Sequence, residues 1–274
     1  MTTDKRAVLV LGMHRSGTSA LTRIINLMGF SAPKTLMAAT EANEAGFWES
    51  EVFMDLDERI LKACGHKWSS RKRLQEDAMA VARRTGLLDE VRRALADEYG
   101  DAPAIVLKDP RISRLMAIYG PALKEAGYRI VPVLALRNPV EVAASLTKRD
   151  GFDLGKGLGI WLRYTLDSEI ATRGMPRTVI SFDGLMADWR GTMDRAARQL
   201  GEAGPQLSPE SLAEIDGTLK PGLRHHALPP PSRTNWRGLL AAQTFDAMQR
   251  LMADPQDKAA CRTLDLVRAV FRPF

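Results

Sequence analysis

Three places in this sequence gather residues whose types and spacing can do chemistry. The first is the run Gly12-Met-His-Arg-Ser-Gly17-Thr18-Ser19, which follows the apolar stretch AVLVL. Its glycine spacing matches the phosphate-binding loop GxxxxGK[ST], but threonine stands at position 18, where that loop carries lysine. Nucleoside triphosphatases place this lysine on the β- and γ-phosphates. Without it an anion cradle remains. Main-chain N–H groups from Ser16, Gly17, Thr18 and Ser19 can converge on an oxyanion at the start of a helix, with Gly17 allowing close approach. Arg15 adds positive charge from inside the loop, and His14 is available for ligand contact or for packing.

The other two places share one grammar. Leu107-Lys-Asp-Pro110 and Leu136-Arg-Asn-Pro139 each end an apolar run with a cation, then a capping residue, then proline. Asp109 and Asn138 are natural N-caps, with Pro110 and Pro139 at the first helical position. Lys108 and Arg137 therefore belong at strand ends beside helix N-termini, where open α/β sheets bind ligands and helix dipoles favour anions. Ser145 follows Arg137 by two helical turns and can add a hydroxyl to the same anion site.

The elements that must position these groups follow from hydrophobic period. Short apolar runs at 7–11, 104–107, 129–136 and 177–182 read as buried strands. Helical patterns at 19–28, 112–126, 140–148 and 160–170 lie between them. The alternation predicts an α/β fold: a P-loop-type parallel sheet with helices on both faces, forming a single domain over residues 1–274. The charged segment 74–99 is expected to form an exposed helical cover, Lys220–Arg237 a proline-rich surface loop, and 244–270 a return to helix.

Composition narrows the function classes. The 39 basic and 33 acidic residues give a net charge of +6, which suits an anionic ligand, yet the cations are spread along the chain. The densest cluster, HKWSSRKR at 66–73, is short and expected to be a solvated loop, so no nucleic-acid partner is expected. Cys64 and Cys261 lack the spacing of a disulfide framework or a zinc site. The apolar run before Gly12 is too short for a membrane span and no signal-peptide pattern surrounds it, so a cytoplasmic protein is expected.

RSGTS after a buried strand, with LKDPR and LRNPVEVAAS further on, resembles the sulfotransferase family, closest to its bacterial members. RSGT and KDP are also similar to the tyrosylprotein sulfotransferases. The resemblance implies that 3′-phosphoadenosine 5′-phosphosulfate (PAPS) is the sulfuryl donor. His14, Arg15, Ser16, Gly17, Thr18 and Ser19 would hold its 5′ end, and Arg137 and Ser145 its 3′-phosphate. PAPS has no γ-phosphate, so a loop lacking the lysine loses nothing. Arg15 would neutralise the departing phosphate, with Lys108 as the second cation.

Members acting on glycans or tyrosines use a glutamate base shortly after the first helix. Here that stretch is EANEAGFWESEVF, with Glu41, Glu44, Glu49 and Glu51. Glu49 is preferred because Gly46, Phe47 and Trp48 can turn it inward, where desolvation makes a stronger base; Glu44 comes second. No metal is required, and Asp109 is expected to be a cap.

Further positions stay open. Trp161, Arg163 and Tyr164 are candidates for an acceptor pocket or for core packing, and Phe182 stands where many sulfotransferases have tyrosine. Arg233, Trp236 and Arg237 are candidates for a basic lid, although the family's GxxGxWK run is absent. The acceptor implied is a hydroxyl on a glycan or other small molecule. Two alternatives remain: a P-loop kinase or NTPase with Arg15 in the lysine's place and Asp109 holding magnesium for Mg-ATP, or a non-catalytic nucleotide-binding module. Oligomeric state leaves no mark in the sequence.

Overall fold

The structure, a computed structural model, describes residues 5–38, 46–74, 77–202, 207–219 and 228–271. The first apolar run forms β1 (Lys5–Leu11), and the glycine loop leads into α1 (Thr18–Leu27). Helices α2 (Glu51–Ala63), α3 (Ala78–Arg84) and α4 (Leu87–Tyr99) precede β2 (Ala104–Leu107). Helix α5 (Ile112–Glu125) connects to β3 (Tyr128–Leu136), and α6 (Pro139–Asp150) and α7 (Leu154–Thr172) connect to β4 (Thr178–Ser181). Among the described residues five more helices follow: α8 (Phe182–Ala187), α9 (Trp189–Leu200), α10 (Pro209–Thr218), α11 (Trp236–Ala253) and α12 (Lys258–Val270).

Among the described residues the four strands are all parallel, in the order β2-β1-β3-β4. The chain leaves β1 to build β2 on one side and returns to build β3 on the other. The β1/β3 junction is thus the switch point beyond whose carboxyl ends such sheets bind ligands. Gly12 makes that exit possible: its φ is +145°, and a Cβ there would stand 2.8 Å from the Ala135 carbonyl oxygen. Pro132 sits inside β3, but the β4 ladder begins one residue later at Val133, so the proline stands where that edge is unpaired.

Alternation along the strands divides the core between two faces. Val8, Val10, Val131 and Val133 meet α1 and α9 through Leu21, Ile24, Trp189 and Met193. Ala7, Leu9 and Leu11 meet α5 and the α2–α4 group on the other face. Leu134 and Leu136 continue into a cluster with α7, α11 and α12.

Several boundaries differ from the sequence reading. The charged 74–99 segment is no mere cover: Val81, Ala82, Leu87, Val91 and Leu95 form a buried stripe against the core, and charges occupy the outer face. The C-terminal helical stretch is two helices, because α11 stops before Asp254-Pro255 and Asp257 restarts α12 by accepting the N–H groups of Ala259 and Ala260. Asn138 caps α6 with Pro139 in the first turn. Helix α5 instead begins at Ile112, and the Asp109 carboxylate accepts the Arg111 N–H at 2.7 Å in a turn that leads into it.

Among the described residues, no helix is long and apolar enough to cross a membrane.

Candidate active site

The site is built where β1, β2 and β3 end. After Gly12 the chain passes through Arg15 at φ +70°, a left-handed conformation that costs a non-glycine residue energy and is typical of ligand-binding turns. Gly17 caps α1 at φ +81°. The Ser16 N–H turns inward to the Met13 carbonyl at 3.2 Å, so it is not part of the outward cradle. The first intrahelical bond runs from Leu21 N–H to Gly17 O, leaving the Thr18, Ser19 and Ala20 N–H groups at the helix mouth with no acceptor inside the helix. Two buried polar atoms of the loop, Ser16 Oγ and His14 Nε2, have no protein partner. Unsatisfied donors and acceptors gathered at one helix start fit an anionic ligand.

One side of the loop is an arginine cluster. Arg15 Nε donates to Ser145 Oγ at 2.9 Å, and an Arg137 terminal nitrogen donates to the Arg15 carbonyl at 3.1 Å. Arg15, Arg137 and Ser145, drawn from the loop, the end of β3 and the second turn of α6, therefore meet at one point. Burial, then the nearby Arg149 and Arg137, lowers the Arg15 pKa from the ordinary arginine value, as expected of cations assembled without their anion. Arg137 is aimed by Glu141, which accepts from its Nε at 2.8 Å, and by the Phe182 ring, whose centroid lies 4.5 Å from the guanidinium carbon. The same ring lies against Gly17. Asn138 donates to the carbonyls of Leu228 and Pro229, tying the chain after residue 227 to the start of α6.

The other side of the loop is a buried ion pair. Lys108 is 3% exposed and Glu49 is 5% exposed. Lys108 Nζ donates to Glu49, to the Phe47 carbonyl at 2.8 Å and to Ser19 Oγ at 3.3 Å. Ser19 Oγ in turn donates to the same Phe47 carbonyl at 3.0 Å. Burial raises the Glu49 pKa above the usual carboxylate value, and the Lys108 ammonium works against that rise. Trp48, at φ +56°, makes the turn that sends Glu49 inward, while its own ring lies under the Arg23 guanidinium. Glu51 is exposed at the start of α2. Glu41 and Glu44 lie outside the described residues.

Asp109 is fully buried and bound to Arg111, whose guanidinium also meets Glu58 at 2.6 Å. The Asp109 carboxylate is occupied by the Arg111 N–H in the turn before α5 and by the Arg111 guanidinium, so the helix cap expected of it is not formed.

Behind the loop, sequence reasoning missed a strap. The HKWSSRKR segment leaves Lys67, Lys72 and Arg73 exposed, but it is not simply solvated. Tyr164 Oη donates to the Trp68 carbonyl at 2.8 Å, and Arg163 Nε donates to that of Arg71 at 3.0 Å. Arg114 donates to the Ser70 and Lys72 carbonyls at 3.1 and 2.7 Å. Buried side chains of α5 and α7 thus hold four main-chain oxygens. Trp68 packs edge-on against His14 with centroids 5.0 Å apart, so the strap backs the anion loop. Burial, then the charges of Arg111, Arg149, Lys108 and Arg15, holds the His14 pKa well below its ordinary value, and the imidazole is neutral.

The remaining candidates fall elsewhere. Trp161 and Tyr164 are core residues. Arg233 is paired with Asp246 on α11, and Arg237 lies against Gly155 at the start of α7.

No family model matches the sequence, and no curated protein matches it. Among solved structures, the chain is similar to the sulfotransferase domain from the Synechococcus PCC 7002 olefin synthase. The identity is 17%, the match covers 89% of this chain and 96% of that one, and the TM-score is 0.50. At that identity the likeness speaks for the fold alone, an α/β arrangement with a parallel sheet between helical layers.

Proposed function

We propose that the protein is a PAPS-dependent sulfotransferase of one domain, working in the cytoplasm on a hydroxyl of a carbohydrate or other small acceptor. The observation that carries this reading is the placement of two distinct groups on either side of one lysine-free loop: Arg15, Arg137 and Ser145 on one, and Lys108 with Glu49 on the other. PAPS, when bound, brings an electrophilic sulfuryl group and an anionic leaving phosphate. The Thr18, Ser19 and Ala20 N–H groups hold the 5′ end. Arg137, with the Ser145 hydroxyl and Arg15 beside it, binds the second phosphate. Lys108 offsets charge growing at the 5′ end, and Glu49 accepts the proton of the acceptor hydroxyl. The Mg-ATP alternative requires a free Asp109, and Arg111 holds that carboxylate through both oxygens.

Thermal stabilisation by adenosine 3′,5′-bisphosphate and by ADP at matched concentration tests the reading. The bisphosphate is expected to stabilise more; a preference for ADP refutes the assignment.

A further inference from the structure

Resting on that donor reading, we infer that Arg149 is a further donor-binding residue: it closes the second-phosphate site from the side of the strap and contributes to the preference for a nucleotide that carries a 3′-phosphate. Arg149 stands four residues after Ser145 on α6, so the two lie on one face of the helix. Side chains on an α-helix lean toward its N-terminus, which brings a long one at position 149 back over the turn that carries Ser145. Ser145 Oγ is the atom that accepts from Arg15 Nε at 2.9 Å. The loop, the end of β3 and the last turn of α6 each send a guanidinium to the same neighbourhood.

Two contacts aim Arg149 and leave its tip open. Its Nε donates to Asp150 at 2.9 Å, and its guanidinium carbon lies 5.2 Å from the centroid of the Trp68 ring on the strap. Stacking of this kind suits a planar guanidinium better than an ammonium. Among the described residues, the terminal nitrogens of Arg149 and of Arg15 have no acceptor. A phosphate accepts hydrogen bonds from several directions and can fill both forks at once.

The charges lead to the same place. Glu141 pairs with Arg137 and Asp150 with Arg149, while no carboxylate is bonded to Arg15. Three cations therefore face two acids, and what is missing is an anion. After burial, Arg149 is the strongest influence lowering the Arg15 pKa, ahead of Arg137. It also bears on His14, whose imidazole packs against the same Trp68 ring. A cation in the last turn of a helix can simply serve the helix dipole, as Lys148 can beside it. Arg149 differs in facing the anion loop, where its charge reaches two loop residues.

The test is titration calorimetry of the full chain with adenosine 3′,5′-bisphosphate and with adenosine 5′-monophosphate, which differ by the 3′-phosphate alone. Arg149→Met keeps an unbranched stem over Trp68 and removes the fork. It should weaken the bisphosphate by about tenfold and the monophosphate by less than about twofold. Arg149→Lys keeps the charge without the fork and should fall between wild type and Arg149→Met. A purely structural role would lower Tm and weaken both nucleotides together. Equal losses for the two nucleotides, or no loss for the bisphosphate, overturn the inference and leave the donor reading standing. If Arg149→Met does not fold, Arg149→Lys decides by the same comparison. A wild type that binds both nucleotides equally well overturns the donor reading and this inference together.

Discussion

Replacing Gly17 by alanine tests how the loop is coupled to the arginine cluster. At φ +81° an L-residue costs about 1 kcal/mol in backbone energy. The new Cβ would overlap Cδ2 of Phe182 and stand 3.1 and 3.2 Å from Cε2 and Cγ, so the ring must move. Overpacking of this kind costs about 2 kcal/mol. The sum, about 3 kcal/mol, corresponds to a fall in Tm of about 6 °C for a chain of this size. The displaced ring is the one beneath Arg137, so bisphosphate affinity should fall as well. Phe182→Leu alone should cost about 1 kcal/mol through lost burial. In the Gly17→Ala background it removes the clash, and the double variant should be more stable than additivity predicts by about 1–2 kcal/mol. Urea unfolding of the four proteins measures this cycle. Strict additivity, or a Gly17→Ala protein as stable as wild type, would refute the claim that glycine is there to admit the ring.

Two further outcomes follow from the same geometry. Burial, then the nearby Asp109, pushes the Asp57 pKa well above the ordinary aspartate value, while Tyr119 donates to it at 2.6 Å. The folded protein keeps a proton there that the unfolded chain gives up above the ordinary value, so stability drains as pH rises through that interval, by up to about 1.4 kcal/mol per pH unit. Asp57→Asn needs no such proton and should melt higher than wild type at pH 8, with the gap closing toward pH 4; a gap independent of pH contradicts this account. Arg137→Ala should weaken bisphosphate binding by about 10- to 100-fold, the loss of charged hydrogen bonds worth about 1.5–3 kcal/mol, and weaken ADP much less, as calorimetry would show. Equal losses for both nucleotides would place Arg137 away from the 3′-phosphate.

Much of the scaffold was legible because its signals are local. Short apolar runs bounded by Gly12, Asp109 and Asn138 marked the strand ends, and the Asn138-Pro139 pair announced α6. Arg137 and Ser145 share one helix start at fixed spacing, so their meeting with Arg15 needed only the order of β1 and β3. The Lys108–Glu49 pair is different. Gly46, Phe47 and Trp48 suggested that Glu49 turns inward, but its partner lies 59 residues away, and no local signal joins the two. The strap was hidden for another reason, since its acceptors are carbonyl oxygens, which every residue has. Its trace lay in the donors: Arg114 and Arg163 occupy core-facing helix positions, where a cation needs a buried partner. Asp57 left a similar trace, as an acid among Phe53, Leu56, Ile60 and Leu61 on the apolar face of α2. In the 74–99 segment, charge density masked the amphipathic stripe that a position-by-position reading would have found.

The anchoring of the strap by its main chain separates shape from lettering. Tyr164, Arg163 and Arg114 grip oxygens that any amino acid would offer at positions 68, 70, 71 and 72, so the outward residues Lys67, Lys72 and Arg73 take no part in holding the segment. Their identities can be exchanged while the backbone beside His14 keeps its course, which makes this stretch a cassette in which new outer chemistry can be installed without rebuilding the floor beneath it.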